Sequence, residues 1–155
     1  MLLTLMRHGI AESFAGSDAN RALTPSGAVI VREVVRGLHA GGWLPGSIVC
    51  SPLVRARQTA ALIEERFPGL PTEVLTQAIH TAPDLLEQIG RLGLVDPIIV
   101  GHNPGISRLA GELIGAGHLP FEPATVACYR LDGLPPREHG QLLWFAPPNF
   151  ARCFR

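Results

Sequence analysis

The sequence predicts an α/β fold: a three-layer α/β/α sandwich with a mostly parallel central sheet, closed by an antiparallel hairpin at the C-terminal end. Three observations carry this. Short apolar runs alternate with helical patterns for most of the chain, the signature of strands joined by crossover helices. Polar, chemistry-bearing clusters come directly after several of those runs, and open α/β sheets hold their ligands at that strand edge. The last two apolar runs are joined by a Gly/Pro-rich loop and read as an antiparallel pair.

Leu2–Met6 is an unbroken apolar run, as a buried strand requires. Residues 10–23 are polar and irregular and are expected to form a loop. From Pro25 to Ala40, Val31, Val34, Val35 and Leu38 recur at helical spacing, and Gly41-Gly42 ends the helix. Ser47–Cys50 is a short strand. Pro52–Phe67 is helical, with Leu53, Ala56, Ala60 and Ile63 on one stripe. Thr72–Leu75 is a strand, and Pro83–Leu92 is a helix through Leu85, Ile89 and Leu92. Pro97–Val100 is a strand, and Pro104–Ile114 is a helix through Ile106, Leu109 and Leu113. Thr125–Leu131 and Gln141–Phe145 make the hairpin. Thr24-Pro25, Ser51-Pro52 and Asn103-Pro104 each place a capping residue before a proline, so each is expected to start a helix. Two of these starts come directly after a strand, which aims helix N-termini at the ligand edge, an arrangement suited to an anion.

A chain of 155 residues is expected to form a single domain over 1–155. Thirteen Lys and Arg balance thirteen Asp and Glu, so the basic excess of a nucleic-acid binder is missing. No apolar stretch approaches the length of a membrane span, and the N-terminus lacks the basic start and long apolar core of a signal peptide. A cytoplasmic location and no membrane partner are expected. Cys50, Cys128 and Cys153 are isolated, with no CxxC pair, and read as free thiols rather than disulfides or zinc ligands.

Three clusters stand at or just after strand ends: Arg7-His8-Gly9, Ser51-Pro52-Leu53-Val54-Arg55-Ala56-Arg57-Gln58-Thr59, and Gly101-His102-Asn103-Pro104. In a parallel sheet these ends converge, bringing two histidines and at least two arginines to one pocket. Arginine binds phosphoryl oxygens in a planar fork and stays charged at any working pH. A neutral histidine nitrogen can attack phosphorus, and water then opens the phosphohistidine. Fixed positive charge serves such a site better than a metal, so neither metal nor cofactor is expected.

These motifs resemble the histidine phosphatase superfamily, the phosphoglycerate-mutase-like or RHG family. Arg7-His8-Gly9 matches its first signature, Ser51-Pro52 with Arg55 and Arg57-Gln58-Thr59 its second, and Gly101-His102-Asn103-Pro104 its third. Asn20-Arg21-Ala22-Leu23-Thr24 with Gly27 is similar to a stretch of the short SixA-type phosphohistidine phosphatases. The resemblance implies a minimal phosphoglycerate-mutase-like fold without a cap subdomain. It implies His8 as nucleophile, with Arg7, Arg55 and His102 holding the phosphoryl oxygens. Gly9 would let the backbone come close to the substrate, and Arg21 would sit near the pocket. Arg57, the rival of Arg55, falls on another face of its helix. His39, His80, His118 and His139 are expected at the surface, and Trp43 and Trp144 in packing.

One departure bears on substrate. Larger relatives carry a glutamate after the third strand as general acid, and others an aspartate directly after the second histidine. Here the corresponding residues are Thr76-Gln77-Ala78-Ile79-His80 and Asn103. An alkoxide leaving group needs a strong acid, whereas a protonated imidazole departs without one. The expected function is thus a phosphatase acting on phosphohistidine of a protein partner. Phosphomonoester hydrolysis on a small metabolite, and a non-catalytic phosphate-binding module, are the alternatives. His80, Glu12 and Asp84 remain as candidate proton sources.

Overall fold

The computed structural model describes residues 1–14, 16–76 and 82–153. Its elements run β1 (Leu2–Arg7), a 3-10 turn (Asp18–Asn20), α1 (Pro25–Ala40), β2 (Ser47–Cys50), α2 (Val54–Arg66), β3 (Thr72–Val74), α3 (Ala82–Leu92), β4 (Pro97–Gly101), α4 (Gly105–Glu112), β5 (Val126–Arg130), β6 (Gln141–Ala146) and α5 (Pro148–Ala151). The six strands form one sheet in the order β3-β2-β4-β1-β5-β6. The first four are mutually parallel, β5 pairs antiparallel with β1, and β6 pairs antiparallel with β5. The expected sandwich and closing hairpin are both present. Among the described residues no helix is long and apolar enough to cross a membrane.

The period-two alternation of strands divides the core between two faces. Met6, Ile48, Cys50, Ile98, Val100 and Val126 point to one side and pack on Val31, Val34 and Val35 of α1 and on Ala56, Ala60 and Ile63 of α2. Leu3, Leu5, Val49, Ile99, Ala127 and Tyr129 point to the other, against Leu85 and Ile89 of α3 and Ile106 and Leu109 of α4. Trp43 and Trp144 pack on the first cluster, as expected of packing residues.

Two of the three expected helix caps are not formed. Thr24 accepts from Gly27 N at 2.9 Å and caps α1 with Pro25 at its first position. α2 begins later than expected, at Val54. Ser51 N still bonds Val100 O in the sheet ladder, and the Ser51 hydroxyl accepts from Leu53 N within a short turn. α4 begins at Gly105 after a cis Asn103-Pro104 bond, and the Asn103 side chain is committed elsewhere. The 3-10 turn lies where loop was expected, and the four-residue α5 follows the last expected strand; both are too short to show a helical period.

Candidate active site

Sheet register brings the three motifs to one level. Met6 and Cys50 both pair with Val100, and Arg7 pairs with Gly101. His8, Ser51 and His102 therefore leave three adjacent strands at the same height. His8 N bonds Gly101 O at 3.0 Å, and Ala124 N, on the approach to β5, bonds the carbonyls of Arg7 and His8. The backbone of the RHG tripeptide is thus held from both sides.

His8 is 7% exposed. Its Nδ1 lies 2.7 Å from Gly9 O. A carbonyl only accepts, so Nδ1 carries the proton and Nε2 keeps a lone pair. Arg55 Nε donates to that lone pair at 3.2 Å. Burial lowers the His8 pKa to about 4; the Gly9 carbonyl opposes this, while Arg55, His102 and Arg7 add repulsion in the same direction as burial. The imidazole is consequently neutral at neutral pH, with its unprotonated nitrogen facing the arginine. The His102 ring lies 5.6 Å from that of His8, centroid to centroid.

Arg55 stands in the first turn of α2 and is buried, whereas Arg57 is exposed, as their different faces require. The Arg7 guanidinium donates through Nη1 to Phe121 O at 2.8 Å, and its Nε is buried with no hydrogen-bond partner among the described residues. Burial lowers the Arg7 pKa.

Gly9 is required by packing. A Cβ there would stand 2.7 Å from Val31 Cγ2 and 3.2 Å from Gly27 O, so the space belongs to α1. Gly9 N donates to Thr59 Oγ1 at 3.2 Å, and the same hydroxyl donates to Arg55 O at 2.8 Å. Thr59 is fully buried and ties α2 to the tripeptide, a link that its place in the second motif does not disclose.

Arg21 reaches Glu12 O at 2.5 Å through Nε and Asp18 Oδ1 at 3.0 Å through Nη1. Asp18, which no sequence motif singles out, also bonds Arg55: its carbonyl O accepts from Nη1 at 2.7 Å and its Oδ2 from Nη2 at 3.0 Å. Its carboxyl is held below the usual range by its hydrogen bonds to Arg21 and then Arg55. The spacing of Asp18 and Arg21 is the one sequence signal for this pair; the contact with Arg55 spans 37 residues.

The described candidates for a proton source are exposed or engaged elsewhere. Asn103, at the position of the alternative acid, donates to Phe121 O at 3.0 Å and accepts from Ser107 Oγ at 2.7 Å, a structural use of both ends of the amide. Glu12 and Asp84 are exposed, and His80 lies outside the described residues. Among the described residues no cluster of His, Cys, Asp and Glu is placed to hold a metal ion.

Residues 3–88 match the family model of the histidine phosphatase superfamily, branch 1. A phosphohistidine phosphatase SixA homolog of Haemophilus influenzae is 30% identical over 154 residues, covering 86% of this chain and 90% of that protein. Among solved structures, the protein histidine phosphatase SixA complexed with tungstate superposes with a TM-score of 0.82 at 26% identity, covering 96% of this chain and 98% of that one. An alpha-ribazole phosphatase from Shigella flexneri shares the fold, with a TM-score of 0.72 at 17% identity and coverage of 96% and 97%. The motifs in sequence order, their convergence on one sheet edge and these matches agree: the chain belongs to the histidine phosphatase superfamily.

Proposed function

We propose that the chain is a phosphohistidine phosphatase that hydrolyses phosphohistidine on a protein partner, using His8 as nucleophile within a single domain over residues 1–155. The observation that carries this is the state of the two groups a reaction needs. His8 is a neutral Nδ1–H tautomer with Nε2 turned toward Arg55. Among the described residues, the carboxylate bonded to the cluster is Asp18, which two arginines keep ionised and which is a poor proton donor. A leaving group that needs no strong acid suits that pairing, and a protonated imidazole is such a group. The relatives named for SixA add support, since their names attach the same substrate class to a domain of this length.

In the first step the His8 Nε2 lone pair forms the N–P bond while the P–N bond to the substrate breaks. The electron pair goes to the departing imidazole, which leaves neutral because its other nitrogen already carries a proton. Nδ1–H stays on the Gly9 carbonyl and stabilises the cationic phosphoimidazole on His8. Water then attacks phosphorus, its proton passes to solvent or phosphate, and His8 returns to the neutral tautomer. Arg7, Arg55 and His102 hold the three phosphoryl oxygens as charge shifts among them.

The test is turnover of a phosphohistidine-bearing phosphotransfer protein beside a panel of sugar, nucleotide and cofactor phosphates. We expect the protein substrate to give the higher kcat/KM, an acid-labile phosphoryl group trapped on His8, no turnover by His8→Ala, and unchanged activity in chelator. A higher kcat/KM on one small phosphate moves the assignment to a phosphomonoesterase. Absence of both turnover and trapped phosphoryl enzyme moves it to a phosphate-binding module.

A further inference from the structure

We propose that Asp18 is a positioning residue for the phosphoryl site: it clamps the outer end of the Arg55 guanidinium so that the inner edge faces His8, and Arg21 holds the clamp rather than the phosphate. This rests on the reading of His8 and its arginines as a phosphoryl pocket, and it adds two members to that machinery and gives each an indirect role.

A guanidinium is planar, and its five N–H groups present two forked edges. One is shared by Nε and a terminal nitrogen, the other by the two terminal nitrogens. A single residue, Asp18, takes both terminal nitrogens of Arg55, its carbonyl at 2.7 Å from Nη1 and its Oδ2 at 3.0 Å from Nη2. That pairing occupies the outer edge. Nε is on the opposite side, 3.2 Å from His8 Nε2. The inner edge is therefore aimed at the nitrogen that would carry phosphorus. As a phosphoryl group arrives, Nε–H passes from the His8 lone pair to a phosphoryl oxygen. One short shift both frees the nucleophile and binds the anion, and the grip of Asp18 need not change.

Charge and burial explain why a clamp is needed. Arg55 lies in the first turn of a helix, where the helix dipole disfavours a cation. A second arginine, Arg7, acts on the same His8 ring, so two like charges share the site. With a side chain only 6% exposed, Arg55 has little water to screen that repulsion, whereas Asp18 is 66% exposed. An ion pair this open to solvent adds little to folding. Its effect falls on where the arginine points. Arg21 is committed by Nε to Glu12 O and by Nη1 to Asp18 Oδ1, so the carboxylate bridges two arginines with one oxygen each. The resulting order is Arg21, Asp18, Arg55, His8. It gives Arg21, expected near the pocket as a substrate-binding residue, an indirect role through Asp18.

The test compares wild type with Asp18→Ala, Asp18→Asn, Arg21→Ala and the double variant Asp18→Ala/Arg21→Ala. The readouts are tungstate affinity by calorimetry and the pH profile of kcat/KM. Asp18→Ala removes the charge-assisted Oδ2 bond to Arg55 and the Oδ1 bond to Arg21 but keeps the main-chain carbonyl on Nη1, and is expected to weaken tungstate binding roughly tenfold. Arg21→Ala is expected to shift affinity in the same direction with a smaller loss, and the double variant to be no worse than Asp18→Ala alone, because Arg21 acts through Asp18. Asp18→Asn, which keeps the shape and an acceptor oxygen, should fall between. The groups facing His8 are Arg55 from α2, His102 after β4, Arg7 from β1 and the Gly9 carbonyl. When the Arg55 charge shifts away from His8, its share of the lowering is lost while burial, the larger cause, remains, so the acid limb should move up only part of the way from about 4, with the unfolding midpoint unchanged; opening of the site would lower that midpoint as well. Tungstate bound as tightly or more tightly by Asp18→Ala, with an unmoved acid limb, overturns the clamp. So do additive losses in the double variant, which would put Arg21 on the anion itself. Wild type that binds no tungstate overturns the phosphoryl reading first and the clamp with it.

Discussion

A buried histidine with a proton fixed on one nitrogen has a direct consequence for pH dependence. His8 has a pKa of about 4 in the folded chain, below the 6.5 of a free imidazole. The nucleophilic form is thus present throughout the range above about 4, and kcat/KM, corrected for ionisation of the substrate, is expected to fall only on acidification through that value. An acid limb near 6.5 would mean a solvated histidine and contradict the burial. The stability effect has the matching sign. Between pH 6.5 and about 4 the unfolded chain binds the proton that folded His8 refuses, so stability drops as pH is lowered across that window and gains nothing from His8 above it. Gly9 makes a second prediction. Its missing Cβ is what lets α1 approach, so Gly9→Ala is expected to cost about 1–3 kcal/mol by overpacking, read as a lower urea midpoint with unchanged slope. A neutral result would show that Val31 and Leu23 can yield. The other histidines expected at the surface are divided among the described residues: His118 and His139 are exposed, while His39 is partly covered, accepting from Arg66 at 2.8 Å and meeting Phe67 edge-on.

At the level of elements, the site depends on where three strands stop and on the turns that leave them. β1, β2 and β4 are neighbours, and their ends deliver His8, the turn to Arg55, and His102 to one edge. α1 backs the site without contributing chemistry, and its cap is separable from catalysis. Thr24→Ala is expected to destabilise the protein by about 1 kcal/mol, seen in denaturant unfolding, while kcat/KM changes little. A large loss of activity with intact stability would instead tie the cap to the loop over residues 10–23. That loop is fastened at several points. Leu23 N bonds Gln58 Oε1 at 2.7 Å, Glu12 N bonds Ala22 O at 2.8 Å, and Asp18 reaches Arg55. Helix α2 therefore both carries the arginine and anchors the segment that steers it.

For the molecule as a whole, the described residues form a sheet with helices on both faces and no helical subdomain over the strand ends. The loop after His8 carries Phe14, 83% exposed, and Ile10, 40% exposed. A large aromatic side chain left in water six residues after His8 suits contact with a macromolecular substrate. Phe14→Ala is expected to raise KM severalfold for a phosphohistidine protein and to leave KM for a small phosphate unchanged, the scale of one lost interface anchor. Equal KM values for wild type and variant on both substrates would place protein docking elsewhere.

The order of strands and helices, the sandwich, the hairpin and the three motif clusters were all legible in the amino-acid sequence. Strand ends, helix periods and phosphate-binding residue types are local signals, and Arg55 could be told from Arg57 because helical phase is local too. What each group does to its neighbours emerged only with the chain folded. The tautomer of His8 depends on the Gly9 carbonyl, and its pKa on burial and on charges brought in from α2 and β4. The glycine of the tripeptide is required by α1, and Ser51 and Asn103 gave up capping for a turn and a side-chain bridge. Beyond its spacing from Arg21, Asp18 carries no mark in the sequence, because an acidic residue in a polar loop has no distinguishing pattern. Only the folding of that loop across α2 puts its carboxylate on Arg55, and contacts between residues 37 apart in the chain leave no periodicity to read.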